Sequence, residues 1–257
     1  MILPASYSNG FAPRDGSPLY PELWRGCLVS YNHGLGITGT QFFDYSGFKR
    51  NGTGSAITWS SGGVISFATA SISIGTLSMH NESELTITTR IRRTATNIST
   101  YLFSDEGASI NTAISLQVYN THNVSLFRAK SGVYSADTLS GALTLNKWYT
   151  ITGTISDSKA QESIYVDGNL IAQNTITSAT KPASSGTSQI GTYTTGSLYF
   201  IGDQKELHLH NRVLSPREIK LLASREGVMY ELAPRRRSSS AVAAFNRRRR
   251  LLLGASN

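Results

Sequence analysis

The chain has 257 residues, one cysteine, 16% charged residues and a formal net charge of +8. One cysteine excludes an internal disulfide framework, and no stretch approaches the ~20 apolar residues a membrane helix needs. Seven arginines carry the imbalance: Arg235, Arg236, Arg237, Arg247, Arg248, Arg249 and Arg250. Subtracting these seven from +8 leaves +1 for the rest, so the charge marks the tail and not a basic folded body.

Residues 1–22 contain Pro4, Pro13, Pro18 and Pro21 and read as an irregular arm, because proline removes ladder donors and disfavours helix. The opening MILPASYSNGFAPRDG has no basic region followed by an apolar run, so we expect a product made in the cytoplasm without ordinary secretion. Short β-like runs begin at Leu23 and continue to KELHLHNR. In ELTITTRIRR, Leu85, Ile87 and Thr89 share one face and Thr86, Thr88 and Arg90 the other. In KWYTITGTIS, Tyr149, Ile151 and Ile155 share a face opposite Trp148. In KELHLHNR, Leu207 and Leu209 oppose His208 and His210. Period-two alternation punctuated by turn signals predicts an antiparallel sandwich. Asp167-Gly168 within YVDGNLI suits a two-residue type I′ hairpin turn. One helix is expected in PREIKLLASREG, capped by Ser215, with Pro216 at its first position, Glu218 three residues after the cap and Gly227 as its stop. The expected organisation is an arm (1–22), a sandwich (23–228) and an Arg-rich tail (229–257).

Three motifs together resemble the LamG-like, concanavalin A-like jelly-roll family. FDYSGFKRNG is similar to that family's Asp-x-Ser-Gly turn, through Asp44, Ser46, Gly47, Asn51 and Gly52. Trp148 followed by Tyr165, Val166, Asp167 and Gly168 resembles its central strand and hairpin. ELHLHNRVLSPREIKLL resembles its closing strand and helix start, through Asn211, Arg212, Leu214, Ser215, Glu218 and Ile219. In order across residues 23–225, they imply an all-β fold of two packed antiparallel sheets with one short C-terminal helix. The termini, APRDGSPLYPELWRGC and APRRR…AAFNRRRRLLLGA, resemble LamG-like proteins encoded by marine tailed phages and some environmental bacteria.

Glucanases of this shape carry Glu-x-Asp-x-x-Glu on one strand, so that alternation aims all three carboxylates into a cleft. The chain has no such string, and Glu82 and Glu84 read as parts of a solvated turn. His208 and His210 have the spacing of metal ligands but no evident third partner, and are expected on an exposed face. No Ser/His/Asp or Cys/His arrangement is evident. The family resemblance implies calcium as the cofactor, if there is one, with Asp44 and Asp167 as loop ligands and Asp105 a further loop carboxylate. Lys205, where the family often has an acid, argues against it. The competing expectation is that Asp44 caps its own turn and Asp167 its hairpin. Tyr31, Tyr45, Tyr119, Tyr134, Tyr193 and Trp59 supply stacking faces for a glycan, and none is singled out.

Two arginine clusters bracket SSSAVAAFN and precede LLLGASN, which suits docking on an acidic protein surface with Phe245 and Leu251–Leu253 as anchors. Nucleic acid is disfavoured, because no base-stacking aromatic lies within either arginine cluster. The resemblance of the termini, taken with these features, implies a non-enzymatic structural protein of a tailed-phage virion, decorating the capsid or attached to the tail. Its jelly-roll body would face outward and its loops bind host surface glycans. The arm and the seven arginines would bind other virion proteins, in a homo-oligomer, with no membrane partner. The alternative is a free carbohydrate-binding lectin module.

Overall fold

The computed structural model describes residues 18–35, 39–60, 64–77, 79, 82–95, 100–105, 114–119, 121, 123–130, 133–138, 143–175, 187–193 and 198–232. The basic run of seven arginines and most of the N-terminal arm lie outside these. Sixteen strands occur among the described residues. They are β1 (Cys27–Asn32), β2 (Gln41–Phe42), β3 (Gly52–Ser55), β4 (Thr58–Ser60), β5 (Val64–Phe67), β6 (Ser71–Gly75), β7 (Glu84–Arg93) and β8 (Thr100–Asp105). These are followed by β9 (Ile114–Val118), β10 (Val124–Lys130), β11 (Val133–Thr138), β12 (Trp148–Ser156), β13 (Gln161–Val166), β14 (Asn169–Thr175), β15 (Ser188–Ile190) and β16 (Gly202–His210). One α-helix, α1 (Pro216–Ser224), closes the order.

The strands form two eight-stranded antiparallel sheets. The first runs β14-β13-β12-β7-β16-β5-β4, and the second β11-β10-β9-β8-β15-β6-β3-β2. In the first sheet β16 pairs with β7 along one edge and divides the other, taking β5 at residues 202–204 and β1 at 206–210. The alternation read in the sequence sets the core. Leu85, Ile87 and Ile91 of β7, Tyr149, Ile151 and Ile155 of β12, and Leu207 and Leu209 of β16 face Ile72, Phe103, Leu116, Leu126 and Ile190 of the second sheet. Gly153 marks a close approach of the sheets, since a Cβ there would lie 2.8 Å from Leu126 Cδ1. The Asp167-Gly168 turn joins β13 to β14 with φ of 49° and 77°, the positive pair of a type I′ hairpin.

The first sheet is also covered on its outer face, which alternation alone does not predict. A second cluster of Leu23, Trp24, Cys27, Leu214, Ile219, Leu222, Val228 and Met229 packs there beneath α1. A 3₁₀ turn at Pro21–Trp24 and another at Val228–Tyr230 belong to this layer. They are tied by Trp24 Nε1 donating to Met229 O at 2.8 Å and by Leu19 N donating to Glu231 O at 2.7 Å. The described body is therefore packed from residue 18 to residue 232. His208 and His210, expected on an exposed face, are 2% and 0% exposed, because this layer closes over β16. The helix starts as expected, with Ser215 and Glu218 making both bonds of a capping box. It ends at Ser224, short of Gly227, which at φ 74° instead opens the 3₁₀ turn.

A candidate binding groove beside the helix

Antiparallel register lays polar side chains in rows across the part of the outer face that α1 leaves uncovered. Glu84, Ser156 and Gln161 are cross-strand neighbours; Thr86, Thr154, Ser163 and Gln173 form the next row. Tyr165 and Leu170 pair beyond them, beside the helix. Between these strands and the segment Arg212–Glu218 lies an open groove of about 700 Å³. Its floor is hydroxyl and amide: Thr154, Ser156 and Ser163 are buried as whole residues, and Gln173 Nε2 donates to Ser163 Oγ at 3.1 Å. Tyr165 is half-buried and Leu170 is 48% exposed, so the helix end of the groove is aromatic and apolar.

The wall on the helix side is rigidly held. Arg212 donates to Glu218 through NH1 at 3.0 Å and NH2 at 2.7 Å, to Glu22 O through NH2 at 2.7 Å, and to Arg25 O through Nε at 2.7 Å. Glu218 Oε2 also accepts from Ser215 N and Oγ, both at 2.8 Å. Burial by itself would raise the Glu218 carboxyl, but the bonds from Arg212 and Ser215 outweigh it and hold it at about 2. Thr86 Oγ1 donates to Arg212 O at 2.7 Å and accepts from Leu214 N at 3.0 Å, fixing this segment to β7. At the far end Glu84 rims the groove as the first residue of β7, where the sequence suggested a solvated turn. Its Oε1 accepts from Ser156 Oγ at 2.9 Å and Ser158 Oγ at 2.6 Å.

The two carboxylates named for calcium serve separate turns. Asp44 Oδ1 accepts from Ser30 N and Ser46 N, and Oδ2 from Ser46 Oγ and Arg50 N, between 2.6 and 2.8 Å. Four donors occupy both oxygens, which does not fit a cation ligand. Asp167 Oδ1 accepts from Thr150 N at 2.8 Å, and Asp105 accepts from Met79 N and Ser188 Oγ. Among the described residues no three His, Cys, Asp or Glu side chains group to hold a metal.

The histidines also belong to the structure of the outer layer. His210 Nε2–H donates to Leu23 O at 2.8 Å, and burial lowers its pKa to about 3. Ser30 Oγ lies 3.0 Å from His208 Nδ1, and His208 Nε2 lies 3.6 Å from Glu206 Oε2. That order, hydroxyl to imidazole to carboxylate, is the connectivity of a hydrolytic triad. Ser30 is fully buried, however, and Tyr230 OH sits 2.6 Å from its Oγ, so a substrate has no approach. Glu206 Oε1 accepts from Asn32 Nδ2 and from the Gly227 amide, so the network pins the last turn to β1 and β16.

Of the aromatic residues expected to stack on a glycan, Tyr31, Tyr45 and Trp59 gather with Phe42 and Phe43 around a separate small crevice. Trp59 stacks on Phe42 there, with centroids 5.5 Å apart. Tyr193 packs on Tyr101 at 5.0 Å. The side chain of Tyr134 lies outside the described residues. Of those whose side chains are described, none lines the groove. Its platform, Tyr165, was legible in the sequence as part of the hairpin motif and not as a binding residue. The available signal was the alternation of Gln161, Ser163 and Tyr165 along β13.

The two-sheet sandwich with an open groove defines a lectin-like jelly roll. The chain belongs to the concanavalin A-like lectin/glucanases superfamily, whose laminin G-type model matches residues 51–220. No curated protein sequence matches it. Similar solved structures include botulinum neurotoxin type C, whose penetration of cells depends upon interaction with two ganglioside molecules. It has a TM-score of 0.62 and 14% identity, over 79% of this chain and 52% of that one. The binding domain of botulinum neurotoxin DC, solved with rat synaptotagmin II, gives 0.61 and 13%, over 79% and 52%. Trypanosoma rangeli sialidase in complex with 2,3-difluorosialic acid gives 0.61 and 18%, over 79% and 34%. At these identities the likeness is one of fold alone. The chain spans about half the length of the neurotoxin chains and a third of the sialidase.

Proposed function

We propose that this chain is a non-enzymatic glycan-binding module whose binding surface is the groove between α1 and strands β12–β14. The observation that carries this reading is the composition of the groove. One aromatic face, Tyr165, stands at the end of a floor of hydroxyls and amides, the pairing that lets a sugar stack its apolar face and hydrogen-bond its rim. The ganglioside dependence of the type C neurotoxin supports saccharides as the ligand class for such a fold. Catalysis is disfavoured by the state of the groove's acids. Glu218 is held ionised at about 2 with both oxygens bonded, so it has no proton to give as a general acid, and Glu84 has no free carboxyl partner. A printed glycan array probed with the intact protein and with Tyr165→Ala tests the reading. We expect signals on the intact protein that fall roughly tenfold in the variant. Equal signals from both proteins contradict it, as does measurable hydrolysis of a polysaccharide panel.

A second reading concerns where the module works. The run of seven arginines from Arg235 to Arg250 in an otherwise nearly neutral chain supports an anchoring tail. On this reading the protein is a structural component of a tailed-phage virion, assembled in the host cytoplasm as a homo-oligomer. Arm and tail dock on capsid or tail proteins, and the sandwich faces host surface glycans. The alternative remains a free lectin. Cosedimentation with intact virions separates them: stoichiometric association lost on deleting residues 235–257 supports the virion role, and no association contradicts it.

A further inference from the structure

We infer that the groove selects uncharged glycans over carboxylated or sulfated ones, an inference that rests on the glycan-binding reading of the same groove. Recognition of an anionic sugar needs an available cation, preferably the bidentate fork of an arginine. The groove's arginine is committed elsewhere. Arg212 is paired with both oxygens of Glu218, and four of its five N–H groups are engaged by Glu218, Glu22 O and Arg25 O. Its charge is thereby neutralised, and moving it would undo the helix cap. Lys159 is the groove's other cation and sits on the exposed hairpin between β12 and β13, where solvent screens it. Glu84 shares that end of the groove. Its Oε1 is occupied by Ser156 and Ser158, while Oε2 takes no donor among the described residues and is left to accept a sugar hydroxyl or repel an anion. The four charges sum to zero, and the other polar side chains, among them Gln161, Gln173, Ser163 and Thr154, are neutral hydrogen-bonders.

An anion in this groove would be desolvated next to Glu84 with only the solvent-screened Lys159 to compensate, and we expect the penalty to reach at least tenfold in affinity. The test is an array on which each neutral oligosaccharide is printed beside its sialylated, uronic-acid and sulfated counterparts, with hits titrated between 50 and 500 mM salt. The expected result is binding of neutral members, at least ~10-fold weaker binding of their charged counterparts, and little salt dependence for the neutral hits. Glu84→Gln is expected to narrow the gap, while Tyr165→Ala weakens both classes together. Tighter binding of the charged members, with affinity falling as salt rises, overturns the selectivity while leaving glycan binding in place. Binding by no member of either class overturns the glycan-binding reading and the selectivity with it.

Discussion

The Arg212–Glu218 pair holds both the helix cap and one wall of the groove, and its contribution can be worked out from the titration of Glu218. The carboxyl falls from an ordinary 4.5 to about 2 on folding. Each pK unit corresponds to about 1.4 kcal/mol, so ionised Glu218 contributes on the order of 3 kcal/mol, less whatever solvent screening removes at its partly open edge. Because the folded carboxyl binds its proton less readily than the unfolded one, this stability is fully present above about pH 4.5 and is lost as pH falls through about 2. Glu218→Gln keeps the shape of the side chain and removes the charge. Urea unfolding of both proteins at pH 7 is expected to show the variant destabilised by about 2–3 kcal/mol. The difference should shrink steadily between about pH 4.5 and 2. A gap that stays constant over that range would refute the argument, since it would mean that the charge of Glu218 is not what stabilises the wall.

Three further outcomes follow from the packing. Gly168→Ala combines a φ of 77° with a Cβ that would lie 2.9 Å from Lys220 Cα on the helix, and should cost about 1–3 kcal/mol by thermal unfolding. Gly153→Ala drives a methyl toward Leu126 between the sheets; a loss of about 1–3 kcal/mol is expected in urea unfolding, and an unchanged midpoint would show that Leu126 can yield. Ser30→Ala should destabilise the outer layer by about 1–3 kcal/mol through loss of the Ser30 Oγ contacts to Tyr230 OH and His208 Nδ1, with hydrogen exchange of residues 227–231 accelerating first.

What the sequence made legible was local. The type I′ turn at Asp167-Gly168 and the Ser215–Glu218 capping box depend on residues within a few positions of each other. The alternation in β7 and β12 needs only the pleat of one strand to assign Ile87, Ile91, Ile151 and Ile155 to the core. The outer layer was not legible in the same way, because its contacts join distant segments: Trp24 meets Met229 across 205 positions, and Ser30 meets His208 across 178. Without that layer, alternation leaves one face of β16 in water, which is why His208 and His210 read as exposed. The groove was hidden for the same reason. Its polar rows are ordinary solvent-facing residues on each strand, and they become a site only because Arg212–Glu218 stands beside them. Asp44 illustrates the reverse case, where turn chemistry within residues 44–51 already favoured a cap over a cation; four donors meet its two oxygens.

On the proposed function, a saccharide binds in the groove beside α1. Amide chemical-shift mapping of the isotopically labelled protein, titrated with an oligosaccharide that gives an array signal, tests it most directly. Saturable shifts clustered at Thr154, Gln161, Ser163, Tyr165 and Gln173 are expected. Shifts confined to the Tyr31–Trp59 crevice or to the outer face of the second sheet, with these five unmoved, would contradict it.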